Sequence, residues 1–405
     1  MAIISFILLV YNLIFFRKFY INPYLNSTGE TLSTFFPVTL WQGRQWTKFK
    51  VPMKDDIYYY YPGCIPFLST LYPFQIIVSI ICKWLKTDYA FRLYQAVTFL
   101  HYFLSSLLAY RMFSLWASPS VSLFGAITMA YMAQAIRIQT SCGVYTACWI
   151  PGMFIGGWWS AISVAMAILG GYLPILIYIL PVALIFSPVY VSIGVLLAIP
   201  QIIPFLWYYP KSIRWNQNNK STSGRFPLWK LIDLFKGDWK DTKVSGTFYP
   251  ETVVYCGFLI PFLALVSHSR MWIVMAVSLA IASWKAPFRV PSRALYTFCF
   301  ALVWTAVSGL SNLYLDQTFL YVLILIQSIC LLQNSDIYPH YPYSEIQHKP
   351  SYYFNDNKHY KIKGFPYFTG YFFENKTEGY TGGFSLKSTC EKLWVTDADG
   401  YRKQS

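Results

Sequence analysis

The sequence predicts an all-α polytopic membrane protein with about 11 transmembrane helices, an extramembrane first loop and a C-terminal tail. Of its 405 residues, 56% are hydrophobic and only 12% are charged, and residues 138–210 include no charged side chain. At about 20 to 25 residues per crossing, such a run holds roughly three helices. The composition is therefore typical of a membrane protein and argues against a soluble enzyme.

Eleven hydrophobic runs, each bounded by charges, Pro or Gly, are predicted to cross the membrane. They are residues 1–16, 65–85, 93–113 and 121–136, three runs within 145–209, and residues 253–266, 271–284, 294–310 and 313–332. Runs shorter than about 17 residues would be tilted, broken or partly buried in protein. The predicted transmembrane domain is therefore 1–333, with a first loop at 17–64, a second loop at 210–249 and an aromatic-rich tail at 334–405.

The predicted crossings place both loops, the turn 285–293 and the tail on one side of the membrane, here called the polar face. It carries all but five of the 32 Lys and Arg if Arg111 at a helix end is included; the exceptions are Lys83, Lys86, Arg92, Arg137 and Arg270. Taken alone, the positive-inside rule would make the polar face cytoplasmic. The net charge of +15 predicts membrane lipids and lipid phosphates as partners and, without a nucleic-acid-binding motif, argues against nucleic acid.

The eight cysteines form no CxxC pair, and most lie in or beside apolar runs. They are predicted to be small core residues, and neither a disulfide framework nor a zinc site is indicated.

Several polar motifs follow one another in a recognisable order. They are Gly29-Glu30, Phe35 to Pro37, Gln42 to Trp46, Val51 to Asp56, Tyr72-Pro73, Cys148 to Pro151, Pro250-Glu251 with Tyr255 and Gly257, and finally Phe288-Arg289-Val290-Pro291-Ser292-Arg293. In this order they resemble the YfhO-like membrane proteins of the GT-C glycosyltransferase superfamily, from Gly29 to Leu310. Two departures are Glu30, where members often have Asp, and Gly170-Gly171-Tyr172, where they often have Gly-His-Pro.

The resemblance implies a GT-C-like fold and an inverting membrane glycosyltransferase. Such an enzyme moves a sugar from a polyprenyl-phosphate donor to an extracytoplasmic acceptor. It would be an integral protein of a bacterial plasma (inner) membrane with the polar face extracytoplasmic, opposite to the positive-inside expectation. Both expectations for the orientation stand at this point.

Carboxylates of the first loop are the candidate catalytic residues. Glu30, at the position that the resemblance assigns to the base, would deprotonate the acceptor hydroxyl. Asp55 and Asp56 could orient the acceptor or bind a divalent cation through hard oxygen ligands. The alternatives are an ordinary loop Glu and a pair of solvated acids, and the sequence leaves the need for a metal unknown.

Arginines and tyrosines are the candidate binding residues. Arg289 and Arg293 would meet the lipid phosphate, with Arg214 as a further candidate, because the guanidinium fork suits phosphate oxygens. The alternative for the two is a short basic loop at a membrane surface. Tyr59 and Tyr60, within a run of four Tyr, could stack on sugar faces or anchor the loop at the interface.

His101 lies mid-helix among apolar residues, where a packing role and a catalytic role are both open. Two other function classes also remain. One is a catalytically inactive GT-C-like accessory subunit that binds membrane protein partners through its aromatic surface and tail. The other is a transporter or flippase for a lipid-linked sugar, for which the sequence shows no inverted repeat.

Overall fold

The computed structural model describes residues 2–21, 36–52, 69–136, 141–208, 226–236, 252–284, 291–336, 394–396 and 402–404. Up to residue 336 these ranges are dominated by α-helices and short 3-10 helices. The α-helices are α1 Ala2–Phe15, α2 Arg17–Ile21, α3 Phe36–Trp46, α4 Pro73–Trp84, α5 Thr87–Phe113, α6 Pro119–Tyr131, α7 Ala133–Ile136, α8 Ser141–Ala147, α9 Gly157–Gly170, α10 Leu173–Phe186, α11 Pro188–Leu197, α12 Ile199–Tyr208, α13 Leu259–Leu265, α14 Met271–Ser283, α15 Leu295–Asn312 and α16 Gln317–Leu332. The predicted helical class is confirmed.

Some of these helices are long and apolar enough to cross a membrane. Two pass by length and composition, Pro291–Asn312 and Gln317–Ser335, and α11 with α12 pass together as a pair bent by 67°. Five further apolar helices have 10–17 residues, and a 14-residue helix is only about 21 Å long against a hydrocarbon core of about 30 Å. The described helices are thus compatible with a membrane protein, while the number of eleven crossings stays a prediction.

Helix α15 is the centre of the bundle. Fourteen of its side chains are buried, and it packs against α6, α13 and α14. Gly309 permits one of these contacts, because a Cβ at this position would collide with the Leu263 carbonyl of α13. Small residues that bring helix backbones together are typical of packing inside membranes.

The predicted crossing 253–266 differs from the structure. Only Leu259–Leu265 is helical, and residues 253–257 form a buried non-helical segment. Its carbonyl groups accept hydrogen bonds from distant donors: Gln134 Nε2 binds Val253 O, Ala133 N binds Tyr255 O at 2.9 Å, and Gln327 Nε2 binds Cys256 O at 2.7 Å. Non-helical backbone is tolerated at membrane depth where protein satisfies its polar groups, which explains why this apolar run need not be helical.

The predicted start of the second crossing, residue 65, lies outside the described residues. The helix of this run begins at Pro73, because proline fits the first helical turn, where its missing N–H leaves no hydrogen bond unmade. The predicted run 93–113 begins earlier, at Thr87.

Two three-residue strands occur in the tail, β1 Trp394–Thr396 and β2 Arg402–Gln404. They pair antiparallel, with Val395 opposite Lys403. The prediction of an all-α chain is therefore corrected at this one place, where β-branched and aromatic residues favour a strand.

Candidate functional site

The last motif of the resemblance ends in a short 3-10 helix, Pro291–Ala294, that leads into α15. Its cation, Arg293, is half-buried, and the guanidinium carbon lies 5.4 Å from the centroid of the Tyr172 ring. This distance is within the range of a cation–π interaction. Arg293 is thus held at the N-terminal end of a buried helix, where the helix dipole is positive.

Tyr172 stands in the turn between α9 and α10, residues 170–172. Gly171 ends α9 in the left-handed conformation (φ 94°), and its N–H donates to Ile168 O at 3.0 Å. Glycine adopts this conformation without the steric cost of a Cβ. The N–H of Tyr172 donates to Thr146 Oγ1 at 2.8 Å, so the turn that carries the aromatic ring is fixed at both of its ends.

The end of the first loop reaches the same turn. The hydroxyl of Ser69 donates to the carbonyl oxygen of Gly170 at 2.5 Å, and Ser69 itself has a positive φ of 49°. Residues 69–72, 170–172 and Pro291–Ala294 therefore meet, and we call this meeting point the Arg293 site. Side chains far apart in sequence are brought together there.

A buried chain of hydrogen bonds lies beside the Arg293 site. His101 Nδ1 is 2.6 Å from the Val97 carbonyl oxygen, which can only accept, so Nδ1 carries the ring proton of a neutral histidine. Nε2 then accepts from the Tyr72 hydroxyl at 2.9 Å, and this hydroxyl accepts from Trp149 Nε1 at 2.8 Å. Both ring nitrogens of His101 are thus satisfied.

Aromatic packing completes this cluster. The Tyr145 ring lies 4.8 Å from the Tyr72 ring in a stacked arrangement and 4.4 Å from the His101 ring, measured between centroids. Of the two roles left open for His101, these contacts favour packing, because a side chain that is 4% exposed and fully bonded offers no nitrogen to a substrate.

The motif from Gln42 to Trp46 forms part of α3, which docks on α4 through a buried polar ladder. Gln42 Nε2 donates to Thr70 Oγ1 at 3.0 Å, and Gln75 Nε2 donates to Gln42 Oε1 at 3.0 Å and to Thr39 Oγ1 at 2.7 Å. All four side chains are buried. This motif therefore fixes the first loop against the bundle next to residues 69–72.

Most predicted site residues lie outside the described residues. These are Glu30, Asp55, Asp56, Tyr59, Tyr60, Arg214 and Arg289. Arg293 is described, and the structure places it at the meeting point of three segments. Four described cysteines are buried, as predicted. Within the described ranges, no group of three or more His, Cys, Asp or Glu could hold a metal ion.

Sequence reasoning missed two residues of the Arg293 site. The sequence predicted no role for Tyr172, which is only part of a departure from the family pattern, and none for Ser69. A turn between two apolar runs that contains two glycines and a tyrosine is the available signal for the first. The hydrogen bond of Ser69 depends on tertiary contact and leaves no local signal.

Comparisons of the chain with models of protein families, with curated proteins and with solved structures find no match.

Proposed function

We propose that the chain is an inverting membrane glycosyltransferase of the GT-C type, with about eleven crossings, that moves a sugar from a polyprenyl-phosphate donor to an acceptor on the extracytoplasmic side of a bacterial plasma membrane. The observation that carries this proposal is the position of Arg293. The cation lies half-buried against Tyr172 at the start of α15. Its proposed ligand is the phosphate of the lipid-linked donor, which the guanidinium fork fits.

The energetics of the position support an anionic ligand. The positive end of the helix dipole at an N-terminus disfavours a cation. A phosphate at the same place is favoured by the dipole and by the charge of the arginine. The Tyr172 ring covers one face of the guanidinium, and the N–H groups of an arginine point outward in the plane of the guanidinium, away from such a ring. Arg293 thus suits an ester phosphate that gains negative charge as the sugar leaves.

The remaining roles follow from the resemblance and concern residues outside the described ranges. Glu30 would accept the proton of the acceptor hydroxyl, and Asp55 and Asp56 would orient the acceptor or hold a divalent cation. Arg289 and Arg214 would add to the phosphate contacts, and Tyr59 and Tyr60 would stack on the sugar. The bond from the anomeric carbon to the phosphate oxygen breaks as the acceptor oxygen bonds to that carbon from the opposite side.

The test is transfer by the purified full-length chain in lipid nanodiscs, with a panel of short-chain polyprenyl-phosphate sugars and mass spectrometry of the products. Glu30→Gln keeps the size of the side chain and removes the base, so turnover should fall about 100-fold or more while donor binding changes little. Glu345→Gln in the tail is the matched control. Normal turnover by the Glu30 variant would show that the base has been misassigned.

The accessory-subunit alternative is favoured by one observation. Only 28% of the residues in the apolar window of helix Gln317–Ser335 are buried, against 83% for Pro291–Asn312. The helix therefore exposes a broad apolar surface, including Phe319 and Leu325, that a partner helix could cover. If no donor supports turnover and the chain co-purifies stoichiometrically with other membrane subunits, this alternative replaces the enzymatic one.

A further inference from the structure

One short element of the second loop buries its charged side chain and exposes its apolar ones. The 3-10 helix Leu228–Leu234 buries the side chain of Lys230 completely and exposes Leu228, Trp229 and Ile232 by 55%, 62% and 51%. Phe235, directly after it, is 44% exposed. In a loop surrounded by water, the lysine would be outside and the four apolar side chains inside.

Contacts at both ends and in the middle fix this orientation. The N–H of Phe226 donates to Ala282 O of α14 at 2.9 Å, and the Phe235 ring lies 5.5 Å from the Phe262 ring of α13. Between them, Lys230 Nζ donates to Thr252 Oγ1 at 3.0 Å. The reversed polarity is therefore built into the docking of residues 226–236.

The reversed polarity indicates which medium the outer side of residues 226–236 contacts. Burial lowers the pKa of Lys230, so enclosing the ammonium costs free energy, and exposing Leu, Trp, Ile and Phe to water would cost about 25 cal/mol per Å² in addition. The second cost is avoided if the outer surface contacts an apolar phase, and in that case an ammonium on the outer side would not reach water either. Phe258 and Phe262 of the neighbouring segment are also about half exposed, at 46% and 49%, and extend the same apolar surface.

The charges of the second loop indicate which apolar phase this is. Residues 210–249 contain eight basic side chains, Lys211, Arg214, Lys220, Arg225, Lys230, Lys236, Lys240 and Lys243, against three acidic ones, Asp233, Asp238 and Asp241. Basic residues that flank an interfacial apolar element gain about 1 kcal/mol each near an anionic leaflet. An apolar surface with basic flanks is the pattern of an in-plane membrane element.

We propose that residues 226–236 are an in-plane anchor that inserts Leu228, Trp229, Ile232 and Phe235 among the acyl chains of a leaflet containing anionic phospholipid. The excess of Lys and Arg in the sequence of the second loop favours a leaflet with anionic headgroups. Lys230 faces away from the lipid and ties the anchor to Thr252, the residue that precedes the buried non-helical segment 253–257. The anchor thereby joins the second loop to the bundle at the level of the headgroups.

The test uses the full-length chain with the photoreactive residue p-benzoylphenylalanine in place of Trp229, in nanodiscs of phosphatidylcholine with a minor fraction of phosphatidylglycerol. Ile232 is a second probe site in case the first variant does not fold, which gel filtration reports. Lys50, exposed in the first loop and outside every predicted crossing, is the control position. Mass spectrometry identifies what each probe has bonded to.

We expect phospholipid adducts from Trp229 and Ile232 and none from Lys50. The phosphatidylglycerol share of these adducts should exceed its share of the bilayer about fivefold, which corresponds to about 1 kcal/mol. Changing Lys220, Lys240 and Lys243 together to Gln should remove that enrichment and leave the lipid adducts. Adducts only to protein, or none, would overturn the proposal, and lipid adducts without enrichment in the unmodified chain would overturn its anionic part.

Discussion

Two short 3-10 helices each carry one cation near the surface of the bundle, and the two cations are held in opposite ways. Lys230, in Leu228–Leu234, is fully buried, and its ammonium donates to a threonine hydroxyl. Arg293, in Pro291–Ala294, is half-buried under an aromatic ring. The first is enclosed by the fold, while the second keeps part of its surface exposed.

The difference distinguishes a cation that is enclosed by protein from the cation that we propose as part of the binding site. A lysine that is enclosed by protein can position a segment but cannot reach a ligand. An arginine at the positive end of a helix is unfavourable for the helix itself, and for Arg293 we propose a role in ligand binding. Substitutions at the two positions should therefore differ in kind: those at Arg293 should change ligand binding, and those at Lys230 should change only stability and its dependence on pH.

The largest expected effect is that of Arg293→Ala on donor binding. Loss of a charge-assisted phosphate contact at a partly dry site costs roughly 1.5 to 3 kcal/mol, which weakens binding about 10- to 150-fold. Isothermal titration of the detergent-solubilised chain with a polyprenyl-phosphate sugar measures it. Arg270→Ala, at an exposed arginine before α14, is the control, and equal affinities of the two variants would remove Arg293 from the binding site.

A smaller effect is expected at Tyr172, whose ring orients the guanidinium. Tyr172→Leu removes the cation–π interaction, about 0.5 to 1 kcal/mol, and should weaken donor binding about 2- to 5-fold. Tyr172→Phe keeps the ring and should bind as the unmodified chain does. The same titration distinguishes the two, and an equal loss in both would mean that the hydroxyl, rather than the ring, matters.

Much of the helical architecture follows from the apolar runs, because a long uncharged segment has few alternatives to a helix in lipid. Helix α4 begins at Pro73 and α9 ends at Gly170, before Gly171, both for reasons that the sequence shows. The segment 253–257 could not be foreseen, because what allows it to be non-helical is a set of donors from Ala133, Gln134 and Gln327. Composition predicts that a run is buried and cannot tell which distant side chains will satisfy its backbone.

The candidate site was predictable in its residues and not in its geometry. The turn that ends in Arg293 is recognisable as a motif, whereas its contact with Tyr172 and the hydrogen bond from Ser69 to Gly170 join parts of the chain that no local pattern links. The reversed polarity around Lys230 was equally hidden, since a lysine among apolar residues reads in sequence as a solvated charge.

At Lys230 the prediction concerns stability and its pH dependence. Because burial lowers the pKa of Lys230 in the folded state, the unfolded chain binds more protons between that pKa and the ordinary value, so stability should rise with pH across this interval. Lys230→Met removes the ammonium and keeps an apolar chain of similar length. The variant should therefore unfold at an equal or higher temperature at pH 7, and its stability should no longer rise with pH. Thermal unfolding in detergent from pH 7 to pH 10 measures both, with Lys236→Met as control. A clear loss of stability at pH 7 would mean that the ammonium stabilises the fold.

The smallest expected effect is that of a fully exposed charge, Asp316, at the start of α16. Its carboxylate accepts from the N–H of Thr318 at 2.8 Å, and this hydrogen bond lowers the pKa of the carboxyl. A lowered folded-state pKa gives stability that is present above the ordinary value and is lost as the pH falls through the folded value. Asp316→Asn keeps a capping oxygen and should abolish this acid-dependent part, so the unfolding temperature should fall slightly at neutral pH and match that of the unmodified chain in acid. Thermal unfolding between pH 6 and pH 3 measures the difference. A change as large as that of Lys230→Met would contradict the distinction between buried and exposed charges, because solvent screening leaves an exposed charge little to contribute.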